Sequence, residues 1–485
     1  MAVLSGLKPE KVFEYFELLN SVPRGSGNTK QVSDICANFA KERGFECYQD
    51  EFNNIVIIKE ATAGYEDAEP VILQGHLDMV CSKDPESSID MSVTPVKMAV
   101  DGDWIFAVGT SLGADDGVAI AIAMALLDDE TLQHPRIEAV FTTDEETGMD
   151  GAAGLDVTPL KGKKLLNLDS EEEGTITAGC AGGARVDFSK YYENEPLEGK
   201  YTFYKAEVSG LLGGHSGSEI DKGRGNSNKL MAMFLRTALD TAGMRLISID
   251  GGTFDNVIAN KTTAIAAVKW GKENLFENTA IYSERAMKEE YIKTDRDVSL
   301  KVSRIPDVKY DCAMNPVDAE KLLCAMDTMP QGVQKMSADL PGLVQTSLNF
   351  GTVRTDADHV RFSFSVRSSV RKEKNELVNL LREIGEDNGC EVGLRSPYPE
   401  WEFKKVSPFR DLVKDVCAEA LGKEIVVTAT HGGLECGLFC DKIEGLDCVS
   451  IGPDMYDIHS PRERVSISSV AKLYDIVREI LVRSK

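Results

Sequence analysis

Long apolar runs are absent from the 485-residue sequence, and so is any excess of positive charge. The most apolar stretch, Val118 to Leu127, is shorter than the roughly 18 residues that a membrane-spanning helix needs. Lys and Arg number 54 against 79 Asp and Glu, which gives a net charge of −25. Because nucleic acid and anionic membrane surfaces would repel such a chain, we expect neither as a partner.

Cysteine pairs of the CxxC type are also missing, and the 11 cysteines are scattered along the chain. This pattern argues against a disulfide framework. The N-terminal residues show no signal-peptide pattern, so we expect a cytoplasmic protein. A hydrophobic content of 42% is sufficient for packed cores, and the length suggests about two to four domains.

Strands and helices alternate in the first part of the chain. Apolar runs at 70–74 and 137–142 are typical of buried parallel strands, and the Ala- and Ile-rich segment 117–127 indicates a helix. Alternating segments such as 201–208 and 360–366 instead predict antiparallel strands with one exposed face. The α/β style returns after about residue 400.

This order of segments predicts an α/β fold made of one discontinuous domain and one insertion. We place the catalytic domain, with a central, mostly parallel sheet, at residues 1–186 and 399–485. The inserted α+β lid domain would comprise residues 187–398. In such sheets, ligands bind beyond the carboxyl ends of the strands.

Only six histidines occur in the chain, and His76 follows the first apolar strand directly. In an extended chain Asp78 points the same way as His76. Its carboxylate can accept the second ring N–H of the histidine, which fixes the tautomer and raises ligand basicity. The alternative is a strand-end histidine beside a solvated aspartate.

Three acidic clusters come at strand or loop ends, namely SLGADDG with Asp115, TTDEETG with Glu145 and Glu146, and LNLDSEEEG with Asp169. The first could simply cap the helix that follows it. Three acids at the end of a buried strand are costly unless they bind something. Adjacent side chains of an extended chain point apart, so one glutamate could bind a metal while its neighbour faces a substrate.

Together with His459 in the loop YDIHSPRE, these residues give two histidines and three carboxylates without a thiolate. Such a set suits Zn²⁺, Co²⁺ or Mn²⁺. Five ligands are too many for one tetrahedral catalytic zinc ion. Two metal ions that share a bridging carboxylate would use all five, and such a pair can activate water and polarise a carbonyl group.

The ordered motifs resemble those of the M20 metallopeptidase family, and closely those of its Xaa-His dipeptidase branch (aminoacylhistidine dipeptidase, or peptidase D). They span nearly the whole chain: PRGSGN (23–28), QGHLDMVC (74–81), GTSLGADDGVAIAIAMALL (109–127), FTTDEETGMDGA (141–152), LNLDSEEEG (166–174), GGHSG (213–217), GRGNSNKLM (223–231), HGGLECGLF (431–439) and IGPDMYDIHSP (451–461). The resemblance implies a zinc-peptidase-like catalytic domain.

The resemblance also implies a role for each site residue. His76, Asp115 and Asp169 would hold one metal ion, and Asp115, Glu146 and His459 the other, with Asp115 as the bridge. Asp78 would orient His76, and a cis peptide would join Asp115 to Asp116. Glu145 would be the general base that takes a proton from the bridging water, which attacks the scissile carbonyl.

In the inserted domain, the resemblance implies that His215 polarises the scissile carbonyl, often from a neighbouring subunit. Arg367 would bind the substrate carboxylate, for which a guanidinium is well suited, and Asn256 would also bind substrate. Glu435 matches an acid near the free amine of the substrate in many relatives. For these last three residues, an ordinary solvated or structurally paired side chain is an equally good interpretation.

The predicted function is therefore the hydrolysis of dipeptides, of the Xaa-His type or of broad specificity, with two divalent metal ions per chain and zinc favoured over cobalt or manganese. Alternatives are another activity of the same family (tripeptide aminopeptidase, N-acyl amino acid deacylase or carboxypeptidase) and a non-catalytic metal-dependent binding protein. Small peptides are the expected partners, together with a homodimer formed through the lid domain. His134 and His359 lie in polar stretches and are predicted to be surface residues, and His431 has no assigned role.

Overall fold

The computed structural model describes residues 3–306 and 308–485. The helices of these residues are α1 Glu10–Leu19, α2 Lys30–Arg43, α3 Ala114–Asp128, α4 Asp150–Gly154, α5 Ser227–Ala242, α6 Glu273–Glu290, α7 Pro316–Thr328, α8 Arg371–Asp387, α9 Pro408–Leu421, α10 Glu435–Lys442 and α11 Ile467–Arg483. None of them is long and apolar enough to cross a membrane.

The strands of the described residues are β1 Glu46–Gln49, β2 Ile55–Lys59, β3 Val71–His76, β4 Met98–Asp101, β5 Trp104–Ala107, β6 Ile137–Thr142, β7 Lys164–Asn167, β8 Thr175–Cys180, β9 Gly182–Tyr191, β10 Asn194–Pro196, β11 Tyr201–Ser209, β12 Gly214–His215, β13 Arg245–Gly251, β14 Val257–Ile258, β15 Thr262–Lys269, β16 Ser299–Arg304, β17 Cys312–Met314, β18 Gly332–Met336, β19 Val344–Thr355, β20 His359–Ser368, β21 Glu391–Tyr398, β22 Val426–Thr430, β23 Asp447–Ser450, β24 Met455–Tyr456 and β25 Arg464–Ser466.

The chain divides into two compact units. Unit 1 consists of Met1–Gly179, Phe403–Ala429 and Leu434–Lys485, and unit 2 of Cys180–Glu402 and Thr430–Gly433. Unit 2 is thus an insertion between two parts of unit 1, and four residues of a later loop return to it. The limits expected from the sequence, at residues 186/187 and 398/399, lie within seven residues of these divisions.

Unit 1 is built on a mixed sheet in the order β1-β2-β6-β3-β7-β23-β8-β22. Strand β3 runs parallel to both β6 and β7, and β7 is parallel to β23, so the centre of the sheet is parallel as predicted. The flanking pairs β1–β2 and β2–β6 are antiparallel. All six residues of β3 and of β6 are buried, which explains their continuous apolar character.

Helix α3 lies entirely within the core of unit 1. Its residues from Ala114 to Leu127 are all buried, which is why this segment is apolar on every side and shows no amphipathic stripe. The helix begins at Ala114, three residues before the predicted start at Gly117, and the two aspartates therefore lie in its first turn.

A small antiparallel sheet in the order β24-β25-β5-β4 completes unit 1. The connection between β24 and β25 carries His459, and β25 pairs with β5 through Val465 and Ile105. Because β5 leads to α3, this pairing brings the loop of His459 to the start of α3.

Unit 2 contains an antiparallel sheet in the order β16-β11-β15-β13-β19-β20-β9-β21, with β18 paired to β19. This arrangement confirms the antiparallel character predicted for the insertion. Its core is rich in aromatic residues: Phe188 stacks on Phe362 at 4.7 Å between ring centroids, and Phe350 stacks on Phe364 at 4.5 Å. The second hydrophobic core lets unit 2 fold as a body with its own interior.

Candidate metal centre

The central parallel strands place their carboxyl ends at one edge of the sheet of unit 1. His76, the last residue of β3, lies opposite Thr142, the last residue of β6, and Gln74 lies opposite Asn167 at the end of β7. The acidic loops that follow β6 and β7 therefore begin beside the histidine.

Asp115 lies between the two candidate ligand histidines. Its Oδ1 is 3.1 Å from Nε2 of His76, and its Oδ2 is 3.2 Å from Nε2 of His459. Asp115 is buried and comes from the first turn of α3, whereas the side chain of His459 is 47% exposed. One carboxylate thus directs an oxygen to each histidine, as a bridging ligand would.

Two further carboxylates complete the cluster. Oε2 of Glu146 is 3.0 Å from Nε2 of His459, and Oδ1 of Asp169 is 3.6 Å from Nε2 of His76. The five side chains that were predicted to bind metal are thus brought together from one strand end, one helix start and three loops.

Two sets of ligand atoms are compact enough for single ions. One set comprises His76, Asp115 and Glu146, and the other comprises His76, Asp116 and Asp169, with the atoms of each set within 4.8 Å of one another. Asp116 was not among the predicted ligands. Its Oδ2 accepts a hydrogen bond from the backbone N–H of His76 at 3.1 Å, so it lies directly behind the histidine.

Asp78 is fully buried and contacts the ring of His76 from the side opposite to Asp115. Its Oδ1 lies 3.4 Å from Nδ1 of His76, and its Oδ2 accepts a hydrogen bond from Oγ of Ser26 at 2.8 Å. The backbone N–H groups of Glu145 and Glu146 donate to its two oxygens at 3.2 and 3.4 Å. Asp78 therefore holds both the imidazole and the loop of the two glutamates.

The backbone around Glu145 and Glu146 differs from the extended chain that the sequence predicts. Residues Glu145–Thr147 form a 3₁₀ turn, and Asp144 before them has a φ of 57°. His459 also has a positive φ, of 59°. Non-glycine residues in this region are uncommon and concentrate at functional sites. The peptide between Asp115 and Asp116 is cis, as predicted.

Charge interactions within the cluster move its pKa values in opposite directions. Burial tends to raise the pKa of Asp115, but hydrogen bonds with His459 and His76 outweigh this and leave it lowered. Hydrogen bonds to Asp115 and Glu146 raise the pKa of His459 to about 10. Such opposed shifts are typical of sites where charged groups act on one another.

Other carboxyl groups of the cluster have His76 nearby, but its charge does not offset the effect of burial. Burial, with the charge of Asp115 and Glu146 added, raises the pKa of Asp169 to about 6. Burial also raises the pKa of Asp116 and of Glu145 well above their ordinary values. Oδ1 of Asp116 and Oε1 of Glu146 have no hydrogen-bond partner among the described residues. Buried carboxylate oxygens that lack a partner among the described residues, in a cluster that also contains two imidazoles, fit divalent cations, which would satisfy them and keep them ionised.

Glu435, predicted to bind substrate, is buried at the start of α10 in unit 1. Its Oε2 accepts hydrogen bonds from Nε2 of Gln74 and Oγ1 of Thr142, both at 2.6 Å, and its Oε1 has no partner among the described residues. Burial raises the pKa of its carboxyl to about 8. Through Gln74 and Thr142, Glu435 contacts the carboxyl ends of β3 and β6.

Unit 2 brings His215, Asn256 and Arg367 together. His215 pairs with Val257, and the backbone carbonyl of Asn256 accepts a hydrogen bond from the N–H of Ser216 at 2.8 Å. A side chain at Gly217 would touch both the ring of His215 and the guanidinium of Arg367. Partial burial and the positive charge of Arg367 lower the pKa of His215, which favours a neutral imidazole. Nη1 of Arg367 donates to the hydroxyl of Tyr398 at 3.1 Å.

The prediction that His134 is a surface residue is wrong. His134 is fully buried beside Thr62, and its Nδ1 is 2.7 Å from the carbonyl oxygen of Pro135. The polar stretch around it had suggested exposure, but its own backbone pairs with Thr62 and draws it inward. His359 is half-buried and contacts Asp358, so the prediction of a surface position is only partly correct for this residue.

His431, which had no predicted role, is buried in unit 2. Its Nε2 is 2.7 Å from Oγ of Ser347, and Ser347 lies opposite Arg367 in the sheet. Burial and the charge of Arg367 lower the pKa of His431 to about 4. His431 is therefore neutral at physiological pH. It contacts β19, the strand that pairs with the strand of Arg367.

The α/β fold and the cluster of imidazoles and carboxylates at its strand ends indicate a metal-dependent hydrolase. The model of peptidase family M20/M25/M40 matches residues 72–483. The chain is 35% identical over 481 residues to the cytosol non-specific dipeptidase of Escherichia coli (strain K12), covering 99% of each chain. This chain belongs to the M20 peptidase family.

Solved structures agree with this assignment. The aminoacylhistidine dipeptidase of Vibrio alginolyticus aligns with a TM-score of 0.92 and 31% identity, covering 99% of this chain and 98% of that chain. The aminopeptidase PepT of Bacillus cereus aligns with a TM-score of 0.58 and 16% identity, covering 99% of each chain, and shares the fold. The family assignment made from the motifs is therefore confirmed.

Proposed function

We propose that this protein hydrolyses dipeptides at a centre of two divalent metal ions in unit 1. The observation that carries the proposal is the position of Asp115, whose two oxygens lie 3.1 and 3.2 Å from the Nε2 atoms of His76 and His459. A carboxylate shared in this way is the element that two adjacent ions require. The similarity to the dipeptidases of E. coli and V. alginolyticus supports the choice of substrate class.

Five side chains would hold the ions. His76 and Asp169 would bind one, Glu146 and His459 the other, and Asp115 would bridge them. When bound, the ions would polarise the scissile carbonyl and make an attacking water more acidic. Nitrogen and oxygen ligands without thiolate suit zinc, which is the proposed metal, with cobalt or manganese as the alternatives.

Glu145 is the proposed general base. It would take the proton of the attacking water and later deliver it to the leaving amine. Its backbone N–H is fixed by Asp78, which also orients His76. Burial, with the charges of neighbouring carboxylates added, raises the pKa of its carboxyl above the ordinary value, which makes it a stronger proton acceptor.

The unit 2 residues would act on the substrate. His215 would stabilise the negative charge that develops on the carbonyl oxygen, and Arg367 would bind the free carboxylate of the dipeptide. The buried Nε of Arg367, which has no hydrogen-bond partner in the described part of the chain, supports this assignment. We further propose that Asn256 contacts substrate, that Glu435 lies near its amine, that unit 2 forms a homodimer, and that the protein is cytoplasmic.

A substrate panel tests the proposal. Purified protein would be stripped of metal, reloaded with Zn²⁺, Mn²⁺ or Co²⁺, and assayed with dipeptides that include Xaa-His, with tripeptides and with N-acyl amino acids. We expect metal-dependent release of amino acids from dipeptides only. Preferred cleavage of tripeptides or acyl amino acids would favour another M20 activity, and metal binding without turnover of any substrate would favour a binding protein.

A further inference from the structure

The PRGSGN segment places a fully buried arginine against the backbone next to two candidate metal ligands, His76 and Asp115. Arg24 is 2% exposed, and its Nη1 donates to the carbonyl oxygens of Leu77 and Asp78 at 2.8 and 3.2 Å. Its Nη2 donates to the carbonyl oxygen of Gly113, two residues before Asp115. One guanidinium therefore ties the loop after β3 to the start of α3.

Glu463, four residues after His459, holds the same segment from its N–H side. Its Oε2 accepts hydrogen bonds from the backbone N–H groups of Leu112 and Gly113 at 2.7 and 2.9 Å. Its Oε1 accepts from those of Ala114 and Asp115 at 2.7 and 3.3 Å. Glu463 is 2% exposed, so these four bonds form away from water.

These bonds replace an ordinary helix cap. Gly113 is the N-cap of α3, has a φ of 71° and carries no side chain that could accept the first N–H groups. A carboxylate at this end of the helix also interacts favourably with the helix dipole. The backbone that presents Asp115 is thus held by a residue of the loop that also presents His459.

The two glycines of the GADDG motif leave space for this arrangement. A Cβ atom at Gly113 would lie 2.4 Å from Nη2 of Arg24, and one at Gly117 would lie 2.5 Å from the same atom. The motif therefore combines a bridging aspartate with two positions where the arginine can approach the backbone closely.

We propose that Arg24 and Glu463 are positioning residues that fix Asp115 between the two metal sites. The inference rests on the proposed function, because it gives Asp115 the role of a shared ligand. Arg24 holds the carbonyl group of Gly113 and ties it to the loop after β3, while Glu463 holds the N–H groups of the same short segment, so neither needs to touch metal or substrate. Loss of either would let Asp115 shift relative to His76 and His459, and so weaken both metal sites at once.

The chain offers a matched control in Glu138 of β6. Glu138 is also a fully buried carboxylate and accepts hydrogen bonds from the N–H groups of Lys161 and Gly162 at 3.0 Å and from Nε of Arg136 at 2.8 Å. It lies four residues before Thr142, the residue opposite His76, which is about 13 Å along an extended strand. Glu138→Gln therefore perturbs a similar buried network outside the site.

The test compares the zinc affinity of metal-free wild type, Glu463→Gln and Glu138→Gln by competition with a chelator of known affinity. The glutamine at 463 turns an NH₂ group towards backbone N–H donors, and we expect zinc affinity to fall by about 10- to 100-fold at both sites, as for other residues that support metal ligands. We expect Glu138→Gln to bind zinc within about twofold of wild type. Melting temperatures of the metal-free proteins report the loss of stability separately.

Arg24→Lys provides the second test and decides the matter if Glu463→Gln does not fold. A lysine keeps the charge but has a single nitrogen, which cannot reach all three carbonyl groups. We again expect weaker zinc binding, with kcat reduced and KM for dipeptides little changed. Zinc affinity equal to that of wild type in a folded variant would overturn the inference. Failure of the wild type itself to bind zinc would instead contradict the proposed function.

Discussion

The acidic centre of unit 1 and the histidine–arginine cluster of unit 2 are held in different ways. In unit 1 three of the proposed ligand side chains lie at or just after the ends of buried parallel strands, and the centre is supported by a second set of buried polar groups, among them Asp78, Arg24 and Glu463. In unit 2, His215 is exposed and Arg367 is half-buried on an antiparallel sheet. This difference agrees with the proposed roles, in which unit 1 would hold the metal ions and unit 2 would bind a substrate that enters and leaves.

Because of this difference, we expect substitutions in the two units to change different measured quantities. Substitutions of the proposed metal ligands in unit 1 should change metal content, whereas substitutions in the unit 2 cluster should change kinetic constants at full metal content. A unit 2 variant that lost metal, or a unit 1 ligand variant that kept it, would contradict this division of roles between the two units.

Removal of metal should have the largest effect. Because the carboxyl groups of the acidic centre outnumber its two histidines among the described residues, we expect a chelator to abolish dipeptide hydrolysis and Zn²⁺ or Mn²⁺ to restore it. The measurement is the rate of amino acid release against bound metal per chain. Full activity in protein shown by metal analysis to be metal-free would contradict the proposed chemistry.

Replacement of His215 should have the second-largest effect on the rate of hydrolysis. If this imidazole stabilises the developing oxyanion, His215→Ala should lower kcat by about 10²- to 10³-fold while the metal content remains that of wild type. His359→Ala, a change to another histidine of unit 2 that contacts Asp358, serves as the control. Equal rates for His215→Ala and His359→Ala would show that His215 takes no part in the reaction.

Arg367→Ala should have a smaller and more selective effect. We expect KM for dipeptides with a free C-terminal carboxylate to rise by about 10- to 100-fold, since a charged hydrogen bond of roughly 1.5–3 kcal/mol is lost. Amidated dipeptides should be affected much less. Arg361→Ala, on the same strand but paired with Asp356, is the matched control. Equal losses on both kinds of substrate would show that Arg367 does not bind the carboxylate.

The smallest expected effect concerns Glu435 and stability. Burial raises the pKa of its carboxyl from 4.5 to about 8, so between these values the folded chain binds a proton that the unfolded chain has lost. This group therefore stabilises the fold at low pH, and that contribution is lost as the pH rises through about 8. The metal-free wild type should lose more thermal stability from about pH 5 to pH 8 than Glu435→Gln does. Parallel pH profiles of the two proteins would contradict this expectation.

Much of unit 1 could be predicted from sequence because its central strands β3 and β6 are buried on both faces. The predicted strand Ile137–Thr142 coincides with β6, and the histidine at the end of β3 lies at the expected edge of the sheet. A buried apolar strand that ends in several acids is costly unless those acids bind a ligand, so composition and position together indicated the centre.

The polar supports of the centre could not be predicted in the same way. Glu463 acts on backbone N–H groups 348–351 residues earlier in the chain, and backbone contacts leave no pattern of side-chain types. The 3₁₀ turn at Glu145 and the burial of His134 likewise depend on tertiary contacts, with Asp78 and with Thr62. For unit 2, His215, Asn256 and Arg367 were indicated only by resemblance to the family.

The comparison of Glu145→Gln with Glu146→Gln tests the central claim most directly, because the two residues are adjacent but have different proposed roles. Removal of a general base should lower the rate by about 10²- to 10⁴-fold and leave metal binding intact, whereas removal of a ligand should deplete one site. We predict two metal ions per chain and almost no turnover for Glu145→Gln, and reduced metal content for Glu146→Gln. Full metal content in Glu146→Gln with depleted content in Glu145→Gln would contradict this assignment.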